Sequence, residues 1–422
     1  MGSDRRNLVL LTVDAWRADF VDDFEGVALL PSLAEVAPWC ARFEDFHANA
    51  PWTTPALITV LTGESPARHG VCYQWSFPRE SSPGIAKVLG AIGYALPSIS
   101  YLNSVNGYQN LGFAPCAIPD VAKPPAENDT LLATLREYRR HSEPFFLWYH
   151  YKDLHFPYWP GESYRRRLGI EDERIPPQVR ATICTEWNVP RSRFRFAATD
   201  RDIVQRLYAA EVLEFNDFLA PILEELLKDG LLDRTTLVLT ADHADEHLEH
   251  GHVGHASTAE HATLYEEVLR TPLLVVDSRV DGPRRIEARA QGLDLHATML
   301  SLVGAASTPG PGAFDFAPAI LGARGDLPDP QRPFYFHSAR MGFRTSPEMA
   351  GQIIEGISDG KTKFVAEHYD GPRLSLFDLQ RDPQEKSLLT CDAASGIEEC
   401  RLAHERLVRT RSALAGGSAV AG

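Results

Sequence analysis

The chain has 422 residues, more than one ordinary hydrophobic core usually holds, so a large domain with a smaller appendage, or two domains, is expected. Apolar residues make up 44% and charged residues 23%, which excludes a disordered or fibrous chain and fits a globular enzyme. The formal charge of -15 excludes a general nucleic-acid or anionic-membrane surface, so an anionic substrate would need a local positive site such as a metal.

The opening MGSDRRNLVLLTVDAWRADF holds an apolar run too short for a secretory signal or a membrane span, and a cytoplasmic location is expected. The six cysteines, at 40, 72, 116, 184, 391 and 400, lack CxxC spacing and read as reduced, mostly buried thiols; a bridge between Cys391 and Cys400 would rest on proximity alone. Residues 7–13 are largely apolar with β-branched members and stop at Asp14, as a buried parallel strand does when it delivers a carboxylate at its carboxyl end. Ligands gather at that edge of open α/β sheets, so Asp14 is a candidate metal ligand. A strand-end Asp capping the next turn is the plainer alternative. Arg17 and Asp19 then turn away from the sheet.

Residues 31–37 read as helical. The stretch NAPWTTPALITVLTGESPARHGV, 49–71, sets Trp52, Thr53 and Thr54 before Pro55 and an apolar run ending at Gly63, a helix with proline in its first turn and glycine at its end. Thr53 would sit where unpaired backbone N–H groups and the positive end of the helix dipole favour an anion, a place for a nucleophile that attacks phosphate or sulfate. Read alone, Thr53 or Thr54 is an ordinary N-cap. A helix over 83–93, a strand over 94–100 and a helix over 130–140 continue the alternation of a doubly wound α/β fold.

PFFLWYHY, 144–151, is an aromatic strand of sheet-interior length, and Lys152, Asp153 and His155 emerge at its carboxyl end before Pro157 and Pro160. In such an exposed loop His155 is better placed for chemistry than for packing, with a hydrogen-bonded loop histidine as the alternative. Residues 161–200 are rich in arginine, among them Arg165, Arg166, Arg167, Arg191, Arg193 and Arg195. Most read as a solvated face, and a subset could reach over the pocket. Residues 200–228 form a long amphipathic helix with Pro221 inside and Gly230 at its end.

The strand 235–240 leads into ADHADEHLEHGHVGH, the densest polar cluster in the chain, with Asp242 and His243 at the strand end and His247, His250, His252 and His255 following. Carboxylate with imidazole favours a divalent metal, Mn or Zn before Ca. The sheet continues at 272–277, and a helix over 293–303 packs on it. A Pro/Gly-rich boundary at 305–331 precedes short strands at 333–337 and 363–368 and a final helix, and the tail 413–422 reads as disordered.

LLTVDAWRAD, APWTTPALITVLTGESPARHGV, FFLWYHYKDLHFPY, LVLTADHADEHLEHGHVGH with LYEEVLRTPLLV, and DGKTKFV with LFDLQRDPQEKSLL resemble, in order, the successive blocks of the sulfatase-like branch of the alkaline phosphatase superfamily. The resemblance implies a catalytic α/β domain over 1–315, a small α+β subdomain with an antiparallel sheet over 330–412, and one divalent metal, Mn or Zn before Ca. It puts Asp14, Asp242 and His243 on metal-ligand positions and Thr53, also facing the metal, on the nucleophile's position. His155 falls where a histidine contacts the substrate anion or leaving group, and His255 where relatives place a cationic residue, often Lys.

The departures shape the expected chemistry. Sulfatases of this group carry a Cys or Ser that is oxidised to formylglycine, which Thr53 cannot become. Leu57 replaces the motif's later Arg, Ala15 replaces the second of two adjacent aspartates, and no further Lys and His block is found, although Tyr101 and Asn103 lie in that region. A threonine ester must be released by attack at the central atom, which phosphorus tolerates. The expected activity is therefore metal-dependent hydrolysis of phosphate diesters or of phosphonate or phosphate monoesters through a phosphothreonine intermediate. The alternatives are phospho-group transfer to an alcohol, sulfate-ester hydrolysis without formylglycine, and a catalytically inactive binding protein. A small anionic ester is the expected partner, with neither nucleic acid nor membrane.

Overall fold

The computed structural model describes residues 5–116 without 74 and 106, then 124–183, 196–256, 261–323, 325–371, 373–389 and 394–416. At its centre is strand β1 (Asn7–Val13), every residue of which is buried. Leu8 and Leu10 point to one side and Val9, Leu11 and Val13 to the other, so one short apolar run serves two cores at once.

The remaining strands are β2 (Cys40–Phe43), β3 (Phe146–Tyr151), β4 (Thr235–Ala241), β5 (Leu273–Asp277) and β6 (Arg284–Ile286). They build a six-stranded sheet in the order β6-β2-β5-β4-β1-β3. β1 pairs in parallel with both β3 and β4, so the carboxyl ends of these three strands open on the same edge. β5 runs antiparallel to β4 and β2, which makes the sheet mixed rather than purely parallel. Helix α1 (Thr53–Thr62) and helix α3 (Gly292–Leu302) cover one face, while the 27-residue α2 (Arg201–Leu227) covers the other.

Local chemistry moved several expected elements. Residues 94–100 supply only an isolated bridge, Ala95 to Phe145, because Pro97 has no N–H to offer a ladder. The helix expected over 31–37 is two short 3-10 turns, Pro31–Glu35 and Ala37–Trp39, each begun by a proline or an alanine–proline pair. Pro221 is accommodated inside α2. Cys400 is disulfide-bonded, against the expectation of reduced thiols, and Cys184, Cys391, Arg191, Arg193, Arg195 and most of the tail lie outside the described residues.

A second sheet, β7 (Phe334–Ala339), β8 (Ile353–Ser358), β9 (Thr362–Glu367) and β10 (Arg373–Asp378), is an antiparallel meander. Helix α4 (Ala394–Leu414) lies on one face, where Cys400 and Leu407 meet Tyr335, Phe364 and Leu376. The opposite face, with Phe334, Phe336 and Ile354, packs on Trp52, Ala256 and Leu264 of the first unit. Trp52 immediately precedes α1 and Ala256 immediately follows His255, so the small sheet presses on two segments that bound the polar cluster.

Candidate active site

The cluster forms where β1, β3 and β4 end. Asp14 directly follows β1, and its backbone N–H donates to the Tyr151 carbonyl (2.8 Å). Asp242 directly follows β4. The N–H groups of His243 (2.8 Å) and Ala15 (3.2 Å) both donate to Asp242 Oδ1, which fixes the carboxylate and leaves Oδ2 turned inward. Ala15 reaches this position with a left-handed φ of 58°, an uncommon conformation for alanine, and Tyr208 Oη donates to its carbonyl (2.7 Å). Its backbone thus orients Asp242, although its side chain brings no ligand.

His243 Nδ1 donates to the Ala244 carbonyl (3.1 Å), which directs Nε2 toward the carboxylates. Nε2 lies 3.4 Å from Asp14 Oδ1, from Asp242 Oδ2 and from Thr53 Oγ1. Thr53 is the first residue of α1; Trp52, in extended conformation, is the N-cap, so the reading of Thr53 as an N-cap does not hold. The Thr53 hydroxyl therefore stands at the positive end of a ten-residue helix, half-buried and facing the imidazole.

A second layer of histidines faces this group. The His255 ring lies 4.0 Å from that of His243 and 4.8 Å from that of His155, centroid to centroid. His255 Nδ1 donates to Asp245 Oδ1 (2.7 Å), and Tyr158 Oη donates to Asp245 Oδ2 (2.5 Å). Arg17 Nη1 holds the Asp245 carbonyl (2.8 Å) and Glu249 Oε1 (3.0 Å), tying the histidine-rich loop to the segment after β1. His155 is half-exposed, and its Nδ1 bonds the Phe156 carbonyl. All six side chains singled out from sequence, Asp14, Thr53, His155, Asp242, His243 and His255, thus share one site.

Electrostatics divide the site. Burial opposes ionisation of Asp14, yet His155, His150 and His243 hold its carboxyl well below the usual range. Burial, with Asp14 beside it, pushes Asp242 upward. Asp245 is also opposed by burial but is held at about 2 by His255. Burial and the neighbouring His243 push His255 down to about 3, which leaves a neutral imidazole whose proton sits on Nδ1 toward Asp245.

Two residues here carried no assigned role in the sequence. His150, on β3, is buried, with Nε2 3.5 Å from Asp14 Oδ2. Asp245 is buried and pairs with His255. His247 is enclosed by Phe20, Tyr158 and Tyr208, His250 stacks on Tyr265, and His252 neighbours His261. Nor does Arg165 reach over the site: it pairs with Asp172 and lies over Trp159. Nearer the cluster, the Lys152 ammonium lies 5.1 Å from the Tyr101 ring centre.

The donor set fits a divalent cation. Asp14 Oδ1, Asp242 Oδ2 and His150 Nε2 are buried and have no hydrogen-bond partner among the described residues. Four ligands held about 2.1 Å from a tetrahedral ion stand about 3.4 Å apart, the spacing found between His243 Nε2 and both carboxylates. Asp14, His150 and Asp242 each offer a ligand atom within 4.8 Å of the others, as do His243, Asp245 and His255.

A mixed α/β sheet carrying such a cluster at its carboxyl edge, with a second antiparallel sheet behind it, defines an ester hydrolase of the alkaline-phosphatase-like class. Within that class the chain belongs to the sulfatase family, whose model matches residues 6–305 and whose enzymes bind a divalent metal. It is 24% identical over 448 residues to arylsulfatase K of Xenopus laevis, covering 94% of this chain and 81% of that protein. It is 22% identical to a multifunctional alkaline phosphatase superfamily protein of Trinickia caryophylli, covering 92% of each. The fold is that of the phosphonate monoester hydrolase of Agrobacterium radiobacter, with a TM-score of 0.77, 16% identity and coverage of 97% of this chain and 96% of the other.

Proposed function

We propose that this protein hydrolyses phosphate diesters or phosphonate or phosphate monoesters, with Thr53 as nucleophile and a covalent phosphothreonine intermediate. The observation that carries the reading is the Thr53 hydroxyl, set at the amino end of α1 and 3.4 Å from His243 Nε2 between two strand-end carboxylates. Threonine has a secondary alcohol and cannot be converted to formylglycine. An ester on it must be opened by a second attack at the central atom, a route open to phosphorus.

A divalent cation held by Asp14, Asp242 and His243, and faced by Thr53, would supply Lewis acidity that favours the Thr53 alkoxide and offsets charge on the substrate. The backbone N–H groups at the start of α1 face the substrate's non-bridging oxygens. His155, half-exposed above the cluster, gives a proton to the leaving oxygen. Water then enters along the line the leaving group vacated, and His155 takes its proton back. Neutral His255, held in one tautomer by Asp245, accepts a hydrogen bond from that water and keeps it in line.

Sulfate-ester hydrolysis is the second reading, supported by the likeness to arylsulfatase K. A panel of p-nitrophenyl esters separates the two: phosphate monoester, methyl and phenyl phosphodiesters, phenylphosphonate and sulfate, assayed after metal removal and re-addition of Mn, Zn or Ca. Diester or phosphonate turnover that requires Mn or Zn is expected, falling by a factor on the order of 10⁴ or more in Thr53→Ala. Preference for the sulfate would overturn the argument from threonine. Loss of all turnover in the presence of every metal would shift the reading to a transferase lacking its acceptor or to a binding protein.

A further inference from the structure

Within this reading of the site, which takes it to hold a divalent cation, the shell assigned above is short of one ligand because residue 15 is alanine. The side chain next in line belongs to another strand. Residue 150 is registered opposite Thr12 of β1, two residues before Asp14, so a side chain at this position rises beside the strand end. We infer that His150 is a metal ligand through Nε2 and completes an Asp14, Asp242, His150 and His243 shell in place of the ligand missing at position 15.

Three observations carry the assignment. His150 is 1% exposed, and among the described residues its Nε2 has no partner within good hydrogen-bond geometry, although a buried ring nitrogen left without a partner is costly. That nitrogen lies 3.5 Å from Asp14 Oδ2, beyond ordinary hydrogen-bond length but close to the separation of two ligands on one ion. The other ring nitrogen is held as in metal-bound histidines: Nδ1 lies 2.9 Å from Thr12 Oγ1. Trp148 Nε1 already donates to that hydroxyl oxygen (3.0 Å), and the hydroxyl proton can point to the Tyr149 carbonyl (3.4 Å). Nδ1 then carries the ring proton toward Thr12, and Nε2 keeps its lone pair for the ion.

A histidine that served only to pack would need none of this. It would sit equally well with Nε2 turned to a carbonyl, and it would not gather within 4.8 Å of the carboxylates of Asp14 and Asp242, each of which keeps one oxygen without a hydrogen-bond partner among the described residues. The substitution of imidazole for carboxylate also changes the ion preferred: a shell of two carboxylates and two imidazoles favours Zn or Mn over Ca.

The test uses the full chain, with chelator competition for Zn, Mn and Ca affinity and pulsed EPR of the Mn(II)-loaded protein to count bound imidazole nitrogens. Wild type should show two nitrogen couplings and His150→Ala one. Zn affinity should fall by at least the roughly 10–100-fold that follows loss of an outer partner, with a smaller loss for Ca. Equal affinity and an unchanged nitrogen count in His150→Ala would overturn the assignment while leaving metal binding itself intact. A wild-type chain that binds no divalent ion would overturn the metal reading, and the assignment with it. Thr12→Val keeps the His150 ring and removes its Nδ1 acceptor, along with that of Trp148 Nε1, so it carries the test if His150→Ala does not fold. A roughly 10-fold weaker Zn affinity is expected there, and an unchanged value would count against the assignment.

Discussion

Asp245 does its work through another residue. Its carboxylate is fully buried between the His255 ring and the Tyr158 hydroxyl, so it fixes both the tautomer and the tilt of His255. Asp245→Asn keeps the shape but allows the amide to face His255 with its N–H, which would turn the ring or move its proton to Nε2. A drop in kcat of about 10–100-fold is expected, with metal stoichiometry unchanged. A fall in metal stoichiometry in this variant would instead make Asp245 a ligand alongside His243 and His255. Why the sequence exposed some of these residues and not others is a matter of position. Asp14 and Asp242 each end an apolar run, Thr53 opens one, and His155 falls in a loop just before Pro157, so each breaks a pattern. His150 lies inside FLWYHY, a strand buried on both faces, where alternation carries no polar signal. The cue that remained was a single histidine two residues ahead of the strand's loop.

The 3-10 turn Gly342–Arg344, which follows β7, meets the active-site loops at one point. Gly342 has a φ of 51°, and a Cβ built there would stand 2.8 Å from Ala256 Cβ and 3.4 Å from Trp52 Cγ. Ala256 follows His255 and Trp52 caps α1, so a side chain at 342 pushes on both segments together. Gly342→Ala should cost about 1–3 kcal/mol in stability through overpacking and the positive φ. It should also lower kcat more than it raises KM, since Thr53 and His255 would be displaced relative to one another. A variant with wild-type melting temperature and wild-type kcat would show that the turn does not set the site's geometry. The order of elements was readable from apolar runs and their punctuation, whereas the direction of β5 was not: an apolar run of five reads the same either way, and only its pairing with β4 and β2 makes it antiparallel.

The two sheets are joined by buried charge as well as by apolar packing. Lys363, on β9 and fully buried, lies 3.0 Å from Glu266 Oε1 and 3.0 Å from Glu385 Oε1, and Glu266 Oε2 lies 2.7 Å from His47 Nε2. His47 Nδ1 in turn lies 3.2 Å from Asp45. Removing the ammonium in Lys363→Met leaves the buried Glu385 carboxylate without its counter-charge, while half-buried Glu266 keeps His47, and should cost about 3–5 kcal/mol. The pH dependence follows from the direction of each shift. Burial opposes the charge of His47, but Glu266 and Asp45 raise its pKa, so its contribution is complete below about 6.5 and is lost as pH rises through the folded value. Burial also opposes ionisation of Asp45, which His47 nevertheless holds at about 2; its contribution is present above about 3.9 and fades as pH falls toward 2. Glu385 is raised by burial, so it favours the folded state when protonated and loses that advantage as pH rises. Together these groups place the junction's maximum just above about pH 4, and the wild-type melting temperature should decline from pH 6 to pH 8. In Lys363→Met the decline should steepen, because Glu385 ionises there without the ammonium that offsets its burial, whereas His47→Gln should flatten it. Equal slopes in all three proteins would show that this junction does not govern the pH dependence of stability.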